Sequence, residues 1–317
     1  MAKASPKTVD KVEILTLQDN YIDIAAMDNS AIVTRANPIQ DGEIRASVLA
    51  EHGFSALVKT TADGVSRALL FDFGFSEDGA ARNAATLGVD LTQAEAAVLS
   101  HGHRDHTGGI EKLAALVGKK NLPLFVHPSA FKSPRYLKYG EEFKIYFPKF
   151  TRENVMQNGF SLKEADKPCL LLDETVLFLG EIPRETDFEK GWPLVHRQDD
   201  GREIFDPIED DSAIVMNLKD KGLVILTGCA HAGIVNTVLH AIQTTGVKKI
   251  HAVMGGFHLT GPFFEPIIDR TTQELKKINP AYIIPTHCTG HKAMMEMEKQ
   301  MPEKFILNMA GTKLTFN

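Results

Sequence analysis

Three histidines and an aspartate crowd into six residues of this 317-residue chain: His101, His103, Asp105 and His106. Residues two apart in an extended segment point the same way, so His101 and His103 aim at one place. Asp105 and His106 are adjacent and can turn toward a second place. Neutral imidazole and carboxylate together suit zinc, iron or manganese. One or two divalent ions are therefore expected, with zinc first among the three metals. Gly102, Gly108 and Gly109 are read as backbone room for wrapping an ion. A merely solvated histidine-rich loop would need neither this order nor the aspartate inside it.

Three further histidines stand where apolar runs stop: His231 after Gly228-Cys229-Ala230, His258 after Gly255-Gly256-Phe257, and His287 after Pro285-Thr286. Core packing does not call for three such placements. Together with the first cluster they are expected to reach the metal. Cys229 reads either as a thiolate ligand, its pKa lowered by an ion, or as an unliganded buried thiol. His127 ends its apolar run before a proline, which favours a structural or capping role.

The elements around these residues alternate. The run 96–99 is strand-like and a helical pattern starts at Ile110, which puts the first cluster on a loop at a strand's carboxyl end. An opening strand is read over 12–17, a turn at 19–21 and a loop over 27–41. Residues 55–60 and 68–71 form a hairpin around Asp63-Gly64 and lead to Asp72. Helices follow at 77–87 and 111–117, with a strand at 122–127. A second hairpin is read over 212–218 and 223–227, then helix 232–245, strand 250–254, helix 264–278, and strands 281–284 and 313–316. Two similar strand–helix halves predict a layered α/β protein forming one domain over 1–317.

Residues 128–208 break that pattern and are read as an inserted cap over the metal site. Aromatic and basic residues mix there. Lys132, Arg135, Tyr136 and Arg184 are candidate substrate contacts, the aromatic for stacking and the cations for an anionic group. The other reading is that the aromatics pack the insertion's own small core and the cations are solvated.

A formal charge of −6 gives no reason to expect nucleic-acid binding. No apolar run approaches the roughly 18 residues of a membrane-spanning helix. Residues 1–7 lack the apolar core of a signal peptide. Cys169, Cys229 and Cys288 are too few for a disulfide framework, so a cytoplasmic setting is expected. The expected partner is a small anionic molecule. The oligomeric state is not legible.

The order His101-x-His103-x-Asp105-His106 resembles the signature of the metallo-β-lactamase superfamily. That resemblance implies a four-layer αββα sandwich with a one- or two-metal site between two sheets. By it, His101 and His103 hold one metal; Asp105, His106 and His287 hold the other. Asp72 orients the metal loop from behind. Cys229 stands where many members have a bridging aspartate. Many members carry a first-metal histidine just before the second hairpin, where this chain has Pro207-Ile208-Glu209-Asp210-Asp211-Ser212. His231, or an acid such as Asp211, fills that place.

Four further stretches narrow the resemblance: Gly180–Arg184, Gly228–Asn236, Gly255–Leu259 and His287–Gly290. They are similar to the dihydropteroate-synthase-like branch of the superfamily. The branch implies a transferase that joins an arylamine to a pterin methyl diphosphate and releases pyrophosphate. Asp105 and His258 are then the expected catalytic residues, with metal ligation the alternative for His258. Three other readings remain: a phosphoester or ester hydrolase using metal-activated hydroxide, a di-iron redox protein, and a ligand-binding module without chemistry.

Overall fold

Two mixed β-sheets face each other across an apolar core, and helices cover both outer faces. The computed structural model describes residues 4–317; residues 1–3, part of the stretch read for a signal peptide, lie outside the described residues. The first sheet has eight strands, in the order Phe160–Glu164, Leu122–Val126, Ala94–Val98, Val65–Phe71, Ser55–Ala62, Lys11–Gln18, Lys313–Phe316, Val33–Thr34. The second has seven; its central run is Ala213–Leu218, Gly222–Thr227, Ile250–Gly256, Tyr282–Thr286. This is the four-layer αββα sandwich that the sequence led us to expect.

The layers follow from side-chain alternation. Val12, Ile14, Val58 and Phe71 of the first sheet meet Ile214, Val224 and Met254 of the second in a fully buried middle core. The opposite faces pack the helices. Leu70, Ala97 and Leu124 lie under Gly79–Thr86 and Ile110–Val117. Val215, Ile225 and Val253 lie under Ile234–Thr245, Ile268–Ile278 and His291–Gln300. Strand 222–227 is buried at all six positions, as a strand covered on both faces must be. Left-handed residues stop the helices: Gly118 after 110–117, Gly246 after 234–245 and Asn279 after 268–278.

Three expectations are corrected. The stretch 128–208 is not one insertion. Phe160–Glu164 adds a parallel edge strand to the first sheet, and Cys169–Leu171 and Val176–Phe178 extend the second. What stands apart is a four-stranded antiparallel sheet made by Arg135–Tyr139, Phe143–Tyr146, Val195–Asp199 and Arg202–Phe205. Three- to five-residue strands are too short for alternation to show which sheet they join. Likewise, the loop read over 27–41 contains the two-residue strands Val33–Thr34 and Ile39–Gln40. The expected helix 264–278 begins at Ile268, after a 3₁₀ turn over Glu265–Ile267 that holds a proline. Among the described residues no helix is long and apolar enough to cross a membrane.

Candidate metal centre

The site lies where strand ends of both sheets converge. His101, His103, Asp105 and His106 follow strand 94–98 of the first sheet. His103 caps a single helical turn, Arg104–Thr107, that carries Asp105 and His106. Cys229 and His231 follow strand 222–227, His258 follows 250–256, and His287 follows 282–286. These three strands are parallel neighbours, and the pairings Thr227↔Gly255 and Gly256↔Thr286 bring their ends level. Four residues at the convergence take a left-handed backbone without being glycine: Asp72, Ala230, His258 and His287. Such backbone strain concentrates at functional sites.

The donor atoms of four groups lie within 4.8 Å of one another: Asp105–His106–Cys229–His287, His101–Cys229–His231, His101–His103–Asp105 and Cys229–His258–Cys288. Cys229 is common to three of them. Nε2 of His101, Nε2 of His103 and both ring nitrogens of His231 are buried and meet no hydrogen-bond partner among the described residues. Buried polar atoms are rarely left so unless something absent meets them. Burial lowers the His101 and His231 imidazoles and brings His103 down to about 4, so all three are neutral at pH 7. Neutral imidazoles are what a metal requires. The donor set thus fits divalent ions.

The other pole is charged. Asp105 Oδ2 lies 3.1 Å from His287 Nε2 and 3.7 Å from His106 Nε2. Burial alone would lower the His106 imidazole, but the carboxylates of Asp72 and Asp105 outweigh it and push it up to about 9. Burial raises Asp105, and the histidines around it prevail and hold it well below its ordinary range.

Outer contacts hold the ligands. Asp72 accepts from Ser100 N and Ser100 Oγ at 2.7 Å each and lies 2.6 Å from His106 Nδ1. It therefore fixes both the loop and the ring that faces Cys229 at 3.1 Å. The helix that follows, 79–86, has Asp78 rather than Asp72 at its N-cap position. Replacing Asp72 with alanine is expected to weaken zinc binding by about 10–100-fold, read by competition with a chromophoric chelator. The glycines serve a purpose different from that expected. A Cβ on Gly108 would sit 1.7 Å from the Phe75 carbonyl oxygen, and one on Gly102 would sit 2.3 Å from that of Ala130. Close chain packing, not loop freedom, requires them.

The metallo-β-lactamase superfamily pattern matches residues 50–164. The chain is 30% identical over 303 residues to 7,8-dihydropterin-6-methyl-4-(beta-D-ribofuranosyl)-aminobenzene-5'-phosphate synthase of Methanocaldococcus jannaschii, covering 93% of this chain and 99% of that one. The chain belongs to the metallo-β-lactamase superfamily. A second relative, an uncharacterized protein of the same organism, is 29% identical and covers 79% of this chain and 88% of its own. Among solved structures, a metal-dependent hydrolase of the β-lactamase superfamily superposes with a TM-score of 0.69 at 25% identity, covering 96% and 98%.

Within this superfamily frame the sequence-derived residues fall as follows. His101, His103, Asp105, His106, His231 and His287 come together with Cys229. Asp211 stays outside the four donor groups. Its Oδ2 accepts from Ala232 N at 2.9 Å, and burial raises it to about 7. His127 accepts from Ser129 N and caps a 3₁₀ turn.

The four residues expected at the substrate are engaged elsewhere. Arg135 is buried between Asp206 and Asp210. Lys132 pairs with Glu209 at 2.5 Å. The Tyr136 hydroxyl donates to Glu203. Arg184 donates to the carbonyls of Pro207 and His231, steadying the latter's backbone. Tyr136 and Tyr146 pack on each other in the small sheet, whereas Phe147 and Trp192 turn to the site. Phe147 approaches the His103 ring at 4.6 Å, and Trp192 approaches His258 at 5.1 Å.

Five residues at the centre were not singled out from sequence. Asp19 Oδ1 accepts from His287 N, and Asn20 bonds the His287 carbonyl and ring. His52 Nε2 sits 3.4 Å from Asp105 Oδ2. Asp210 accepts from Gly102 N at 2.8 Å and joins the metal loop to Arg135. Cys288 directly follows His287 and lies beside Cys229. Only Cys288 carried a local signal, its place in the Pro-Thr-His-Cys run.

Proposed function

We propose that the protein is a metal-dependent transferase that joins an aromatic amine to the methyl carbon of a pterin diphosphate. The observation that carries this reading is a cavity of about 370 Å³ opening beside the metal centre. His231 and His258 form its inner wall, and Phe188, Phe205, Phe257 and Phe264 are among its sides. Trp192 adds a ring at 6.2 Å from that of Phe264. Such walls suit a flat ring system. Lys190 is the cation among the described lining residues, and it is exposed. The named activity of the 30% identical relative supports the same substrate class.

In the reaction the amine nitrogen bonds the methyl carbon, the carbon–oxygen bond to the diphosphate breaks, and the nitrogen loses a proton. His101, His103 and His231 would hold one ion; Asp105, His106 and His287 the other, with Cys229 between them. Divalent ions, when bound, supply Lewis-acid stabilisation of negative charge on leaving oxygens. The aromatic walls hold the ring and exclude water from it. His258 is placed to hydrogen-bond a substrate polar group. Lys190 balances an anionic group at the wall.

The test is a zinc-loaded assay with dihydropterin methyl diphosphate and ribofuranosylaminobenzene phosphate. Pyrophosphate release that requires the amine, with the joined product seen by mass spectrometry, is expected. Release without the amine would favour the hydrolase reading, which the likeness to a metal-dependent hydrolase supports. No release in either case would sink both. Lys190→Ala is expected to raise KM for the phosphorylated substrate roughly tenfold with kcat kept, because one charge-assisted contact is lost in ground and transition states alike.

A further inference from the structure

Two donors, His258 and Cys288, are left over once two ions are assigned, and both stand beside Cys229. Cys229, His258 and Cys288 offer two sulfurs and a ring nitrogen, all within 4.8 Å of one another. They sit at the ends of three adjacent parallel strands, 222–227, 250–256 and 282–286, so the sheet itself delivers them side by side. Both thiols are buried. His258 Nδ1 is also buried and meets no hydrogen-bond partner among the described residues. The backbone is shaped for the second sulfur. A Cβ on Gly256 would lie 2.5 Å from Cys288 Sγ, so only glycine leaves that thiol its place. His258 itself holds a left-handed backbone, φ 44°.

We propose that Cys229, His258 and Cys288 form a third, sulfur-rich metal position that shares Cys229 with the other two. Thiolate and imidazole together select a thiophilic divalent ion such as zinc or cadmium over magnesium or manganese. Both thiols give up their protons when the ion enters. Three protein donors leave a tetrahedral ion one open position. Because His258 also lines the cavity, an ion held here borders the substrate. The position rests on the metal centre but not on the reaction assigned to it.

Cobalt(II) is the probe, since thiolate–cobalt charge transfer absorbs in the near ultraviolet. The metal-free protein is titrated with cobalt, and the same is done for Cys288→Ser. The variant is expected to lose about half of the thiolate band and about one equivalent of bound cobalt, while the histidine-held ions stay. A variant that keeps the full band and the full cobalt count overturns the proposal.

A second measurement needs no substitution. Iodoacetamide labelling is mapped by mass spectrometry on the zinc-loaded protein and again after chelation. Buried Cys288 is labelled only through transient opening, and its labelling rate is expected to be roughly tenfold slower with zinc than after chelation, whereas the half-buried Cys169 labels at one rate in both states. Equal labelling of Cys288 in the two states overturns the proposal. Amine-dependent pyrophosphate release tests the transferase reading separately and survives either outcome.

Discussion

Asp105→Ala is expected to hold about one divalent ion fewer than the wild type, with affinity at that position reduced by more than the ~100-fold that loss of an outer partner costs. The reason is the crowding of imidazoles around one carboxylate. Asp105 Oδ2 is within 3.7 Å of His106, His287 and His52. Remove it, and one ion loses its only anionic oxygen donor in the group Asp105–His106–Cys229–His287. Elemental analysis of metal per chain, beside a circular dichroism spectrum, gives the answer. Turnover is expected to fall with the metal count. A folded variant with unchanged metal content would show that Asp105 is not a ligand.

The second large effect is on stability. Arg135→Ala is expected to destabilise the protein by about 3–5 kcal/mol, because a buried ion pair broken on one side leaves uncompensated charge. Arg135 Nε bonds Asp206 Oδ2 at 2.6 Å, and its other nitrogens bond both oxygens of Asp210. All three residues are buried. Urea unfolding checks the magnitude. Arg135→Met with Asp210→Asn should recover part of the loss by removing the orphaned charge, since Asp206 keeps Arg197 at 3.2 Å. Because Asp210 also accepts from Gly102 N in the metal loop, zinc affinity should drop in Arg135→Ala even where the chain is folded. Stability and metal affinity both equal to wild type would refute the argument.

The metal motif was legible because its chemistry is local. His101 through His106 occupy six consecutive positions, and no tertiary contact is needed to see two aims in them. The layered architecture was legible because hairpin and strand–helix patterns occur twice. What stayed hidden depends on distance along the chain. Asn20 meets His287 across 267 positions, and Gly102 meets Asp210 across 108. No periodicity reports such a pairing. Lys132, Arg135 and Arg184 looked like anion receptors because a cation in sequence carries no sign of its partner. Folding supplies Glu209, Asp206 with Asp210, and two backbone carbonyls. Lys190, in contrast, borders the cavity and was not singled out from the sequence. The short strand 160–164 was assigned to the cap because five residues cannot reveal a parallel partner.

Strand 313–316 lies inside the first sheet, between 11–18 and 33–34, and Glu13 meets Lys313 across 300 positions. On the ribosome this means a long wait. The early strands emerge with a gap that only a much later segment closes, and an open strand edge recruits stray chains. The His101–His106 loop likewise emerges well before His231, His258 and His287. A nascent chain therefore carries an unfinished sheet and an unfinished ion site together. The sheet is completed only when 313–316 has emerged and the ion site only when His287 has, so the edge of strand 11–18 stays open at least as long as the site stays unfinished.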